Sequence, residues 1–348
     1  MSRKHVLWVV GICLLTLLTV VAGWQELWGA IQRGNPIVLG GLCLVQLLTL
    51  GVIAYQWQYL FGRADVPLGF RRVFEVTLAG LFVESTTPTS KLGGMAAKLY
   101  LFDRTTETNY RTASSVLLAQ KYVSLPPLAL LCVGSASVGA ASLESEAISS
   151  AVYGLVAGFV GLVVGLTVVL AASRREPTRD VRSLTAVALP DSVTSVVDRG
   201  LETLESTVAE AGVLLDRRGR YWLYSLSFLL WIVYPLKIYA VAYTLGIETT
   251  LTIAFVGTYL AYIVSLAPVS PGGVGTFEGM LAVVFLAGGI PFADGLSVAV
   301  LSRVVTFWVP LGLSALVTAV LVCDEDGVVS EDDGVVSRVA TLVDRVRR

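Results

Sequence analysis

Histidine is almost absent: 348 residues contain one, His5, beside the N-terminus. That excludes histidine-based acid–base catalysis and histidine-rich metal sites. Cysteine is scarce. Cys13, Cys43, Cys132 and Cys323 lie in or at the ends of apolar runs without paired spacing. They read as small apolar filling, not as a disulfide or zinc framework. Charged residues are thin at 15%, and the formal net charge is −1, so total charge points to no partner. The basic loops are accounted for by membrane topology, which leaves nucleic acid without support. Serine–histidine pairs, an HExxH run and acidic metal clusters are also missing. The Gly273–Gly275 stretch lacks the lysine–serine that completes a phosphate-binding loop. Neither a cofactor nor a resident metal is expected.

What the chain has in quantity is apolar surface. Hydrophobic residues make up 55% of the sequence, and mean hydropathy is +0.75. This composition indicates an all-α polytopic membrane protein. Full spans are predicted at Val6–Gly23, Ile37–Phe61, Thr112–Ala140, Ala151–Ala172, Tyr221–Leu245 and Gly295–Val322. One integral membrane domain covers 1–322, carrying an amphipathic insertion at 173–220. A tail at 323–348 follows.

Two further apolar segments are broken in the middle. Val73–Phe102 contains a polar run from Glu84 to Gly94 with Pro88 at its centre. Leu251–Ile290 contains Pro268, Pro271, Gly272, Gly273 and Gly275, with Glu278 just beyond. Hydrocarbon does not tolerate unpaired backbone, so each break must be buried in protein or line a wet cavity. Paired interruptions of this kind in two halves of a membrane protein point to a transport site. The arms Val73–Glu84 and Lys91–Phe102 are each about 18 Å as helix, short of the ~30 Å core. The arms of the second break are expected to be longer and nearly to cross.

Charge bias sets the topology. If each broken segment enters and leaves on one side, the N-terminus, 62–72, 104–111, 173–220 and the C-terminus all fall inside, and all are basic. The prediction is a multi-pass cell-membrane protein with six full helices and cytoplasmic termini. Its two re-entrant hairpins enter in inverted arrangement, and their breaks act as gating elements.

Several charges then fall at membrane depth: Glu84, Lys91, Lys121, Lys237, Glu278 and Arg303. A central lysine or arginine opposes insertion by roughly 2.5–3.5 kcal/mol. Lys121 stands two turns from the cytoplasmic end and can snorkel. Lys237 is nearer mid-span, and Arg303 shares a face with Thr306, Pro310 and Ser314. Glu278 falls in the first turn of a half-helix, where the helix dipole stabilises a carboxylate. Lys91 begins the half-helix after Pro88, where a cation is unfavourable unless an anion completes the site. Gly93 and Gly94 let backbone approach that anion, and Lys98 lies two turns on. Phosphate suits such a helix end; a Lys91–Glu84 pair closing the hairpin is the alternative.

At Thr87–Leu101 and Ala267–Gly279 the sequence resembles the flippase-like integral membrane domain family. This is the membrane half of bacterial lysylphosphatidylglycerol synthases, with stand-alone bacterial and archaeal relatives. The second match is the stronger one. Family members commonly carry an acid, often followed by proline, after the double glycine. Here those positions are Met95 and Ala96, while Lys98 keeps the family's base. The resemblance implies movement of an anionic phospholipid or polyprenyl-phosphate-linked headgroup between leaflets. It also implies no enzyme activity, because the aminoacyl-transfer domain of the synthases is absent. Enzymes of cell-envelope glycosylation or lipid modification are candidate partners. On this expectation Lys91, Lys98 and Arg303 hold the lipid phosphate, and Glu278 and Lys237 tune the cavity. Two alternatives are a membrane-embedded lipid (di)phosphate phosphatase recruiting Glu84, Ser85, Glu278 and Arg303, and a non-transporting scaffold for a glycosyltransferase.

Overall fold

The computed structural model describes residues 32–87, 91–106, 108–139, 146–172, 214–267 and 269–326, together with Gln25, Trp28 and Gly29. The regular elements among these residues are all helical. Three long helices are α1 (Pro36–Arg63), α4 (Tyr110–Gly139) and α6 (Arg217–Thr244), of 28, 30 and 28 residues. Each is about 42–45 Å long, more than the ~30 Å core requires. Their starts follow from capping chemistry. The Asn35 side chain accepts from the Ile37 N–H at 2.9 Å, with Pro36 opening the helix. Asp216 accepts from the Gly219 N–H at 2.9 Å. Pro126 and Pro127 lie inside α4 and Pro235 inside α6 without ending either helix.

Between these lie the two broken segments and the apolar helix α5 (Glu146–Ala172). The first break separates α2 (Phe70–Thr86) from α3 (Lys91–Thr105); the second separates α7 (Leu251–Ser265) from α8 (Thr276–Ala287). The last span is composite: α9 (Phe292–Arg303), a π turn at Val304–Trp308, then α10 (Val309–Asp326). α1, α4, α6 and the composite run Phe292–Leu321 are long and apolar enough to cross a membrane. α2 stops at Thr87, which is extended (φ −101°, ψ 146°) as the following Pro88 favours.

The relative arm lengths differ from expectation. α2 and α3 have 17 and 15 residues, whereas α7 and α8 have 15 and 12. The second hairpin's arms are therefore not the longer ones. Its break consumes residues 266–275, including a 3-10 turn at Pro271–Gly273.

Helix directions can be read from side-chain register. Lys237 donates to the Gln46 side chain, and Gln56 donates to Ser227 Oγ at 2.9 Å. Ten residues up α1 thus match ten residues down α6, so the two helices run antiparallel. In the first hairpin Gly80 lies against Lys98 and Gly94 against Glu84, which makes α2 and α3 antiparallel too. In the second, Gly257 meets Leu281 and Gly288 meets Ile253. The contacts also repeat between halves. α1 packs on α2 and α4 as α6 packs on α7 and α9. α4 reaches across to α6 and α7, and the composite α9–α10 reaches across to α1 and α2.

The buried apolar residues form three main groups. One, around Trp57, Phe61, Phe102 and Leu223, joins α1, α2, α3, α4 and α6. A second joins α4 and α5 to the second hairpin. The third joins that hairpin to α6 and α9. Cys132 is buried in the second group, as an apolar filler should be. The readings of Val6–Gly23, Pro88, Pro268 and the tail beyond 326 fall outside the described residues. So does that of the insertion up to residue 213.

Candidate functional site

The second hairpin is organised by one buried ion pair. Arg303 ends α9, and its Nε donates to Glu278 Oε1 at 3.1 Å, with side chains 9% and 3% exposed. A second guanidinium nitrogen donates to the Gly272 carbonyl at 2.5 Å. Glu278 uses its other oxygen, Oε2, to accept from the Gly275 N–H at 2.7 Å, so it closes the start of α8. The guanidinium lies 4.0 Å from the Phe307 ring centre and 5.1 Å from that of Phe277, within cation–π range of both. The π turn places Phe307 here, and such turns recur at functional sites.

Glycine is required in this break. Gly272, Gly273 and Gly275 have φ of 61°, 68° and 84°, in the left-handed region that L side chains disfavour. A methyl group on Gly272 would also sit 2.4 Å from the Phe307 ring and 3.4 Å from the Ser85 carbonyl. The 3-10 turn packs on α2. At this point the end of the first hairpin's α2 arm, the second hairpin's turn and the π turn converge.

The first hairpin has a different construction. Its arms approach closely because glycine on one arm leaves room for a charged side chain of the other. A methyl on Gly80 would meet Lys98 Cγ at 2.3 Å and Cε at 2.6 Å. A methyl on Gly94 would meet Glu84 Cβ at 2.6 Å and Oε2 at 3.1 Å. The Lys98 ammonium lies 5.8 Å from the Trp57 ring centre. The Glu84 carboxylate is within electrostatic reach of Lys98, of Lys121 on α4 and of the Tyr234 hydroxyl.

An aromatic chain links the two clusters. Tyr234 and Tyr262 meet edge to face at 5.3 Å, and Tyr262 meets Phe277 at 5.4 Å. Phe277 in turn faces Arg303. The Lys237 ammonium lies 4.3 Å from the Tyr234 ring centre while bonding to Gln46.

The expected site residues therefore divide. Glu84, Gly94, Lys98 and Lys121 form one cluster, with buried Gly93 beside it. Glu278, Arg303, Gly272 and Gly275 form the other, with Pro271 and Gly273 in its turn. Lys98 and Arg303 stand in separate clusters. Lys237 is buried between α6 and α1. The side chain of Lys91 is outside the described residues. Gly94 was expected to admit an anion, but in this structure its open side is filled by Glu84. Sequence reasoning missed Gln46, Trp57, Gly80, Tyr234, Tyr262, Phe277 and Phe307. Gly80 and the aromatics carry no local signal, whereas Gln46 is a polar residue within the apolar run Ile37–Phe61 and could have been found on that ground. Among the described residues no group of three His, Cys, Asp or Glu side chains is placed to hold a metal.

A family model described as the lysylphosphatidylglycerol synthase TM region matches residues 8–314. The chain belongs to that family. The match spans both hairpins and both charge clusters. A UPF0104 membrane protein of Methanothermobacter thermautotrophicus is 21% identical over 327 residues, covering 90% of this chain and 95% of its own length. Another, from Pyrococcus horikoshii, is 22% identical over 317 residues, covering 88% and 94% respectively.

Proposed function

We propose that this protein carries an anionic headgroup, of a phospholipid or a polyprenyl-phosphate-linked lipid, between the leaflets of the cell membrane. The observation that carries the reading is the meeting of the two broken hairpins inside an apolar bundle. Each brings charged side chains to a depth where isolated charge is costly. The headgroup would enter along the Lys98–Lys121 side while the acyl or isoprenoid tails stay in the bilayer. Arg303 and Glu278, already bonded to each other and to the break, would hold the second hairpin in shape. Lys91 remains assigned to the entrance of α3, and Lys237 to the contact between halves.

Antiparallel α1 and α6 support an inverted arrangement, since α2–α3 follows the end of α1 and α7–α8 follows the end of α6. Six full spans and two re-entrant hairpins entering from opposite faces fit this order. The basic end, where Arg63 meets Asp216 at 3.9 Å and where Arg71, Arg72, Arg217 and Arg218 are found, would face the cytoplasm with both termini. Rocking of one hairpin-bearing half against the other would give alternating access. No covalent step is included.

The test is reconstitution of the purified chain into vesicles with fluorescent headgroup-labelled lipids. Protein-dependent leaflet exchange of anionic lipids is the expected result. Absence of exchange across phosphatidylglycerol, phosphatidylinositol and a polyprenyl-phosphate sugar would overturn the reading.

A further inference from the structure

We propose that α6 is hinged at Trp231–Pro235 and that two buried bonds to α1, one on each side of the hinge, are latches that open one at a time. The latches gate the seam between the halves, so their role in transport rests on the reading above.

The hinge follows from the sequence of α6. Pro235 has no N–H, so the carbonyl four residues back, that of Trp231, loses its helical donor. A carbonyl freed inside an apolar bundle must find a donor on a neighbouring helix. The Tyr259 hydroxyl of α7 is that donor, at 3.2 Å, on a side chain that is almost wholly buried. The Trp231 indole N–H in turn donates to the Ser124 carbonyl of α4 at 2.9 Å. Ser124 lies just before the Pro126–Pro127 pair inside α4. The two proline-bearing helices are thus bonded at their weak points.

Two side-chain bonds cross from α6 to α1. Gln56 bonds to Ser227 before the hinge, and Lys237 bonds to Gln46 after it. All four side chains are buried. Along α1 the bonds stand about 15 Å apart. Midway between them is Gly51, where a side chain would meet open space; glycine there loosens α1 without serving any packing. Bending at these two points opens one end of the seam while the other stays bonded. Interhelical hydrogen bonds in membrane proteins are individually modest, which suits contacts that part and re-form. The Gln56–Ser227 bond is nearer the Arg63–Asp216 end and is the inner latch on the proposed orientation; Lys237–Gln46 is the outer one.

Hydrogen exchange of the α6 amides in the purified full-length protein tests the hinge without reference to transport. Tyr259→Phe removes the donor and should speed exchange around Trp231 by about fivefold or more, the scale of leaving a buried carbonyl unsatisfied. In a Pro235→Ala background the restored N–H satisfies that carbonyl, so the same change should shift exchange by less than about twofold. Equal effects in both backgrounds overturn the hinge. The inner latch is then closed covalently, with Cys13, Cys43, Cys132 and Cys323 replaced by alanine. Gln56→Cys and Ser227→Cys are joined by a short bis-methanethiosulfonate. Exchange of α6 amides before Pro235 should slow, while those after it change by less than about twofold; equal slowing of both segments overturns independent opening. In vesicles, phosphatidylglycerol exchange should fall by about tenfold on cross-linking and return with reductant. A latch only restrains motion, so loss of lipid exchange before cross-linking overturns its role. Lipid exchange that survives cross-linking within about twofold overturns the gate and leaves the transport reading standing. If the wild type exchanges no lipid, the transport reading fails and the gate with it.

Discussion

The two hairpins solve the same problem, a broken helix inside a bundle, by opposite means. The second is closed on itself. Its carboxylate and guanidinium are paired, the break's backbone is bonded to both, and two phenyl rings flank the cation. The first is packed through its side chains, with Gly80 giving room to Lys98 and Gly94 giving room to Glu84. A paired buried charge organises backbone, whereas charged side chains seated against glycines hold two helix arms together. On the proposed function the second hairpin is the fixed frame and the first the receiving side.

The largest expected effect tests the frame. Glu278→Ala or Arg303→Ala leaves a buried charge alone and should cost about 3–5 kcal/mol, read as a lowered unfolding midpoint in detergent. The double change Glu278→Leu with Arg303→Met should recover most of that stability. Lys98→Met, by contrast, keeps a long apolar stem against Gly80 and breaks no hydrogen bond to a hairpin turn, so it should destabilise less than Arg303→Ala while reducing phosphatidylglycerol exchange. Equal destabilisation by Lys98→Met and Arg303→Ala would erase the distinction between the hairpins.

A middle-sized effect separates the two uses of glycine. Gly272→Ala forces an L residue to φ 61° and into the Phe307 ring. The backbone alone costs about 1–2 kcal/mol, and crowding adds to it. Gly80→Ala meets the Lys98 stem from Cγ outward but keeps a regular helix, so crowding alone, about 1–3 kcal/mol, is expected. Thermal unfolding of the two variants gives the order directly, and a reversed order would break the comparison.

The smallest effect concerns an ion pair outside either break. Arg33 and Asp294 lie 3.7 Å apart with side chains 59% and 34% exposed. Asp294→Asn should change stability by less than about 1 kcal/mol. A loss as large as that of Glu278→Ala would mean that burial is not what gives the inner pair its weight.

The span pattern was legible because hydropathy and length act locally along the chain. Ile37–Phe61 was anticipated and α1 is Pro36–Arg63; Tyr221–Leu245 was anticipated and α6 is Arg217–Thr244. The breaks were legible because proline and glycine report on backbone directly. Glu278 in the first turn of α8 followed from the same signal. Partners were not legible, because pairing depends on register between distant helices. Gln46 with Lys237 and Gly80 with Lys98 are set by how α1 meets α6 and α2 meets α3. The separation of Lys98 from Arg303 has the same origin. Arm length was misjudged because the first hairpin's helices run beyond Val73–Glu84 and Lys91–Phe102, to Phe70 and Thr105, through polar and charged residues that hydropathy does not count.

The widened turn at Val304–Trp308 has a consequence for the whole of the last span. A π turn accommodates one residue more than a regular α turn, so α10 follows Arg303 with its angular phase advanced by about 100°. Pro310 and Ser314 are nevertheless buried on the inner side. The extra residue lets the chain aim a guanidinium at the break while independently choosing which side of α10 touches α2. Shortening the turn by one position would tie those two orientations together and turn the lower half of the helix away from its neighbour.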